Sequence, residues 1–520
     1  MLDLKIINGT VYDGSGGAAR RVDVGVRGDR IVEVGDLSRA EARQTIDATG
    51  LLVCPGFIDA HSHSDTYLLI QPSADSKLYQ GITTEVVGNC GASAAPLHDP
   101  YRLPSDWADK TYPRAWHSVA EYRALLDEVK PAPNVVLLIG HNTLRAGAMG
   151  YDPRPASAEE LRTMQRRLAQ ALEEGGAGFS SGLAYAPGLF APPEEVVELA
   201  RVAGAAGKIY TSHMRSESNR LLEAIDETLD VGRRAGCRVQ VSHLKTAGPA
   251  NWGLLDGALE RIERARAEGL EAAADRYPYT ASGTDLDILF PDWAAGGGRE
   301  AVLARLRDPS TRARIREALL ADHDEAYWER VRIGSTKHPD NERFKGMPLV
   351  EVARALGLHP ADAVLHLTDT DDLCTGAFFF TMSEANMWRI LSQPYVMFGS
   401  DASLRAPHGP LSHDHPHPRA YGSLTKFMRA SLDGQTVPFA ELVYKCTALP
   451  AEQFRLQDRG RVAAGAFADL AILNPAALRE QTTFGEPHRL SEGVSYVLVN
   501  GVVTLAGGAP TGQRAGRLLA

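Results

Sequence analysis

The sequence predicts an α/β fold: a (β/α)8 barrel, a small β-sandwich domain built from both termini, and an insertion over the barrel mouth. Three observations carry this reading. Apolar strand-like runs alternate with amphipathic helices through the middle of the chain. Short strands separated by Gly and Asp turns make up both ends. A helix-rich stretch at about residues 285–345 belongs to no simple β-α unit. The limits this sets are 1–54 and 451–520 for the two halves of the sandwich and 55–450 for the barrel with its insertion.

The N-terminal half of the sandwich rests on runs 4–7, 22–27, 31–34 and 45–47, which are apolar or alternating and show no helical period. Runs 469–473, 494–499 and 502–505 supply the C-terminal half, with Asn500-Gly501 as a hairpin turn. Between the halves, strands are expected at 56–60, 82–87, 135–139, 178–181, 208–212, 239–242, 272–275 and 395–399. Amphipathic helices are expected at 158–175, 193–206 and 219–235. Eight strands alternating with helices argue for a closed parallel barrel.

Bulk properties narrow the function. A net charge of −10 over 520 residues, with no long basic run, argues against nucleic acid or an anionic membrane as the main partner. Charge alone excludes neither of them. Neither a signal peptide nor a membrane span is expected, and five scattered cysteines do not form a disulfide framework, so a reducing cytoplasm is the expected compartment.

The chemistry concentrates at the C-terminal ends of the predicted strands, where barrel active sites lie. His61 and His63 follow the first strand, and side chains two apart on a strand share a face. Cys90 follows the second strand, His213 ends the fifth, His243 the sixth, and Asp401 the eighth. Imidazole, thiolate and carboxylate donors on one rim suit zinc, with a position left open for water. A nucleophilic Cys90 is the competing role. Cys54, Cys237, Cys374 and Cys446 are read as core or near-surface thiols, and His408, His413, His415 and His417 as a His-rich loop that orders or covers the site.

These strand ends resemble the amidohydrolase superfamily. More narrowly, Gly88-Asn89-Cys90-Gly91, Ser212-His213-Met214-Arg215, Ser242-His243-Leu244-Lys245, Asp275-Arg276-Tyr277-Pro278-Tyr279 and His415-Pro416-His417-Pro418-Arg419 resemble the N-acyl-D-amino-acid deacylases, or D-aminoacylases. The resemblance implies a tight zinc on Cys90, His213 and His243. It implies a second, weaker or vacant site at His61 and His63, with Asp401 as general base. It nominates Lys245, Tyr277 and Arg419 for the substrate carboxylate, and Tyr185 for the pocket wall. The fourth strand has no Lys to bridge two metals, reading Gly178-Phe179-Ser180-Ser181, which counts against a hydantoinase or dihydroorotase. A cyclic amidase or deaminase of the same superfamily is the alternative activity, and a non-catalytic scaffold is the alternative from another class. Arg276 is open between an acidic-substrate pocket and a buried ion pair.

Overall fold

The computed structural model describes residues 1–98, 103, 105–108 and 110–519. Eight parallel strands form one continuous path: Phe57–Asp59, Ile82–Val87, Asn134–Gly140, Gly178–Gly182, Ile209–His213, Val239–Val241, Ala272–Arg276 and Val396–Phe398. All eight expected strands are present. The first and last meet through the Ala60 N–H to the Phe398 carbonyl (3.1 Å), and Ser62 bridges Ala402 just beyond, which closes the barrel. Every residue of these strands is buried. Helices cover one face of the sheet and barrel-interior side chains the other, which is why the runs are continuously apolar or small rather than alternating.

The helices follow from local chemistry. Ser157 caps helix Ala158–Glu173 and exchanges hydrogen bonds with Glu160 in a capping box. Pro193 opens helix Pro193–Ala205, where its missing N–H costs nothing. Gly236, in the left-handed conformation, ends helix Leu221–Ala235.

The sandwich has a four-stranded sheet from the N-terminal segment, ordered Arg30–Gly35, Asp23–Arg27, Leu2–Ile7, Ala42–Asp47. The second sheet has seven strands and mixes both termini; its seam is Leu52–Pro55 antiparallel to Leu470–Leu473. Leu4, Ile6, Val24, Val26, Ile46, Leu470, Ile472 and Leu498 fill the space between the sheets. The chain's end leaves this domain. Leu518–Leu519 pairs in parallel with Asn134–Gly140 at the third barrel strand, beyond the reach of any local pattern.

Between Arg276 and Val396 the chain makes one long excursion. Strands Ser282–Asp285, Gly376–Phe379 and Val331–Ile333 form a small antiparallel sheet there, and helices continue past residue 345 to Pro360–Thr370. The excursion has its own core around Leu286, Trp328, Phe344 and Leu365. No helix among the described residues is long and apolar enough to cross a membrane.

Candidate active site and metal centre

The first barrel strand ends at Asp59, so His61 and His63 sit on the segment just past it rather than within it. They still converge. Their ring centroids are 5.2 Å apart, and both Nε2 atoms approach Asp401 Oδ1, at 3.4 Å from His61 and 3.1 Å from His63.

Cys90 Sγ lies 3.3 Å from His61 Nε2 and 3.5 Å from His243 Nε2. His243 Nε2 is in turn 2.8 Å from His213 Nδ1. The loop that places Cys90 needs its glycines. Gly88 has φ +77°, and a Cβ there would stand 2.0 Å from the Leu138 carbonyl oxygen. Gly91 has φ +79°, and its Cβ would stand 2.3 Å from Asn142 Oδ1. Cys90 itself has φ +53°, His243 +36° and Asp401 +51°. Three chemistry-bearing residues therefore hold left-handed backbones that side chains ordinarily avoid, at a cost of about 1–3 kcal/mol each.

Two overlapping donor sets result: His61, Cys90, His243 and Asp401, and His213, Glu217 and His243, each with donor atoms within 4.8 Å of one another. Two ligands on one zinc at ~2.0–2.3 Å stand at most ~4.6 Å apart, and the contacts about Cys90 Sγ fall within that span. The electrostatics agree. Burial pushes the Cys90 thiol up, but the imidazoles of His61, His243 and His213 outweigh it and hold the thiol well below its usual value. Burial pushes His61 down, yet Asp275 and Cys90 raise it well above the ordinary imidazole range. His63 is pushed down by burial and carried up to about 9 by its contacts with Asp401 and Cys90. The anionic donors thus draw positive charge to one spot, an attraction that a divalent cation satisfies.

The supporting groups orient these donors. Asp275 lies 3.1 Å from His61 Nδ1, which turns Nε2 toward Cys90. The same carboxylate accepts from the His243 backbone N–H (2.9 Å) and from Gln240 Nε2 (2.5 Å). Gly399 leaves room for this packing, because a Cβ there would lie 2.6 Å from His61 Cβ and 2.8 Å from Asp275 Oδ1.

Glu217, which the sequence reading missed, stands 2.7 Å from His243 Nδ1 and also accepts from Lys245 Nζ. Lys245 Nζ is 2.8 Å from the same Nδ1. With Nε2 turned to the metal donors, Nδ1 is left facing Glu217 and Lys245. Burial raises the Glu217 carboxyl, and Lys245, His243 and His213 reverse that to hold it far below the usual carboxylate range. Its only sequence signal is a carboxylate four residues after a strand-end His. Glu217→Gln is expected to weaken zinc binding ~10–100-fold, the usual effect of losing a carboxylate behind a ligating imidazole. Chelator competition measures this, and unchanged zinc affinity would remove Glu217 from that role.

Asp401 accepts from Arg419 Nη1 (2.7 Å), and Arg419 Nη2 donates to the Gly283 carbonyl (3.0 Å). Burial raises Asp401, but Arg419, His243, His63 and His61 hold it well below the ordinary carboxylate range. The Arg419 guanidinium sits 4.9 Å from the Tyr277 ring centre. The Tyr277 hydroxyl is buried without a hydrogen-bond partner among the described residues. Arg419 and Tyr277 are thus brought together beside Asp401, while Lys245 is held on the Glu217 and His243 side. Tyr185 packs edge-on against His213 (4.7 Å between ring centres), and its hydroxyl lies 3.3 Å from Thr284 Oγ1.

Arg276 makes no ion pair among the described residues. Its Nη2 donates to the Tyr279 carbonyl (2.9 Å) and contacts Met382 Sδ (3.0 Å), and its guanidinium lies 4.3 Å from the Tyr277 ring centre. In the His-rich loop, His415 and His417 bond to the carbonyls of Phe484 (2.8 Å) and Ala281 (3.0 Å), while His408 and His413 face solvent. Cys54, Cys237 and Cys446 are buried, and Cys374 is partly so.

The amidohydrolase family pattern matches residues 44–505. An N-acyl-D-glutamate deacylase of Alcaligenes xylosoxydans xylosoxydans is 41% identical over 521 residues, spanning 100% of this chain and 96% of the relative. The crystal structure of an N-acyl-D-glutamate deacylase from Bordetella bronchiseptica, complexed with zinc and a phosphonate mimic of the tetrahedral intermediate, superposes with a TM-score of 0.85. It is 36% identical and covers 100% of this chain and 99% of that one. A D-aminoacylase structure that addresses the role of a binuclear metal centre, with one-metal activation and second-metal attenuation, gives a TM-score of 0.85 at 35% identity, covering 100% of both chains.

Proposed function

This chain belongs to the amidohydrolase family, and from that premise we propose that it is a zinc-dependent hydrolase of linear amides. It removes the acyl group from N-acyl-D-amino acids, and from dipeptides with a C-terminal D-residue, to give a carboxylate and a free D-amino acid. The observation that carries the reading is Asp401 standing beside a His/Cys donor cluster and paired with Arg419, with Tyr277 next to that arginine. Full-length relatives named as deacylases support it.

Amide hydrolysis needs an activated water, a stabilised carbonyl oxygen and a proton for the departing nitrogen. Cys90, His213 and His243, with His61 and His63 as the second set, would hold the zinc, which would supply Lewis-acid polarisation of the carbonyl and a water whose pKa falls from ~15.7 to ~7. Asp401 takes the water's proton as general base and returns it to the leaving nitrogen. Its partners His63 and Arg419 hold one oxygen each, which fixes the carboxylate plane for both transfers.

The α-carboxylate of the substrate is taken up by Arg419, Tyr277 and Lys245. The unpaired Tyr277 hydroxyl supports this, because a buried donor without a partner costs about 1–3 kcal/mol until an acceptor arrives. Arg grips a carboxylate with paired bonds, and Lys adds a point charge. Tyr185 walls the pocket beside His213.

Holding the amide and the carboxylate fixes two points of the substrate, so the side chain and α-hydrogen exchange places between enantiomers. The D choice comes from the relatives. Enantiomer-resolved hydrolysis of N-acetyl-methionine, N-acetyl-leucine and N-acetyl-glutamate is expected to favour D on the order of 10²-fold for the best side chain. Equal rates, or a preference for L, would overturn the D assignment. Turnover of dihydrouracil in preference to all of them would favour the cyclic-amidase reading.

A further inference from the structure

We propose that Lys77 is a positioning residue for Asp401, a buried ammonium that ties the loop bearing the base to the end of the first barrel strand, from which the segment bearing His61 and His63 continues. The inference deepens the hydrolase reading above and rests on it. Lys77 lies on the short helix Asp75–Leu78 between the first and second barrel strands and is fully buried. Its Nζ reaches Asp59 Oδ2 at 2.7 Å, Ser400 Oγ at 2.9 Å, the Ala402 carbonyl at 2.9 Å and Glu85 Oε1 at 3.2 Å. Ser400 and Ala402 are the two neighbours of Asp401.

The carboxylates on either side complete the brace. Asp59, the last residue of the first barrel strand, accepts the Ser400 backbone N–H (2.8 Å) and hydroxyl (2.6 Å). Glu85, in the second strand, accepts the hydroxyls of Ser62 (2.7 Å) and Ser64 (2.6 Å), which flank His63. One ammonium and two carboxylates therefore hold the neighbours of His63 and Asp401 without touching the reacting atoms. The Asp401 N–H to His61 carbonyl bond (2.8 Å) ties base and histidine directly.

The base needs such support. Its φ of +51° is a conformation a non-glycine residue keeps only when its surroundings over-determine it. Apolar groups of similar volume would fill the space of a buried ion cluster as well or better. What the charged cluster adds is direction: hydrogen bonds that place Ser400 and Ala402, and with them the Asp401 carboxylate.

The test uses the zinc-loaded full chain carrying Lys77→Met, Lys77→Arg or Ser400→Ala, each with and without Asp401→Asn. Lys77→Met is expected to lower kcat ~10²-fold, the effect of a misplacement of about 1 Å. KM and zinc content should stay within about threefold, because Lys77 itself touches no substrate-binding group and no metal donor atom. Lys77→Arg should recover part of kcat. Ser400→Ala, which removes one hydroxyl and no charge, should fall in the same direction and carries the test if Lys77→Met does not fold. With Asp401→Asn already present, neither substitution should lower the residual rate further, since both act through that one group. Equal fold-losses in both backgrounds, or losses in zinc or KM in place of kcat, would overturn the proposal. So would a crystal structure of either variant with the Asp401 carboxylate unmoved, which decides the matter without substrate. If the wild type turns over no N-acyl-D-amino acid, the hydrolase reading fails, and that structure alone judges Lys77.

Discussion

Cys90→Ala is expected to lose most of its zinc and its activity together. The sulfur stands between His61 and His243, at 3.3 and 3.5 Å, so its removal opens the centre of the donor cluster. Losing an outer partner of a ligand typically costs 10–100-fold in metal affinity or activity, and losing a thiolate ligand should cost more, on the order of 10²-fold or above. Alanine keeps the Cβ, so the strained backbone at φ +53° is asked for nothing new, and the fold should survive. Metal analysis of the purified variant, with its melting curve as the fold control, checks this. Full zinc with lost turnover would make Cys90 the nucleophile instead of a ligand.

The second large effect is expected at Asp401. Asp401→Asn should keep the fold and most of the zinc while turnover drops by at least ~10²–10⁴-fold, the usual worth of a positioned acid–base group. Asn matches Asp in size and is among the few residues that tolerate a left-handed backbone, so the φ of +51° is no obstacle. Arg419 can still donate to the amide oxygen, but the amide cannot take the water's proton. Zinc content, KM and kcat measured on one preparation separate the roles. Turnover within a few-fold of wild type would exclude Asp401 as the base, and a matching loss of zinc would make it primarily a ligand.

Much of the architecture was legible because it is written in local patterns. Each barrel strand is a short run without polar alternation, since both of its faces are covered. His213, which terminates its strand, and His61, His63, Cys90, His243 and Asp401, which lie just past theirs, share one rim because every parallel strand ends at the same face. The long excursion between Arg276 and Val396 was only partly legible. Its strands Ser282–Asp285, Val331–Ile333 and Gly376–Phe379 are three or four residues long and too polar or too short to show a period. The pairing of Leu518–Leu519 with the third barrel strand had no signal at all.

By itself, then, the sequence determined the strand–helix alternation, the split sandwich and the chemical types gathered at the strand ends, because burial periodicity and strand direction act over a few residues. Tertiary structure alone decided how those groups are held. Asp275 orients His61 from 214 positions away, and Lys77 reaches Ser400 across 323. Glu217, past the fifth strand, reaches both Lys245 and His243 past the sixth, and Arg419 turns out to rest on Asp401. The left-handed backbones of Cys90, His243 and Asp401 belong to the same class. No local preference favours those backbones or pairs those charges; they exist because closing the barrel brings the strand ends within hydrogen-bond reach, where burial makes an unpaired charge costlier than the strain of pairing it.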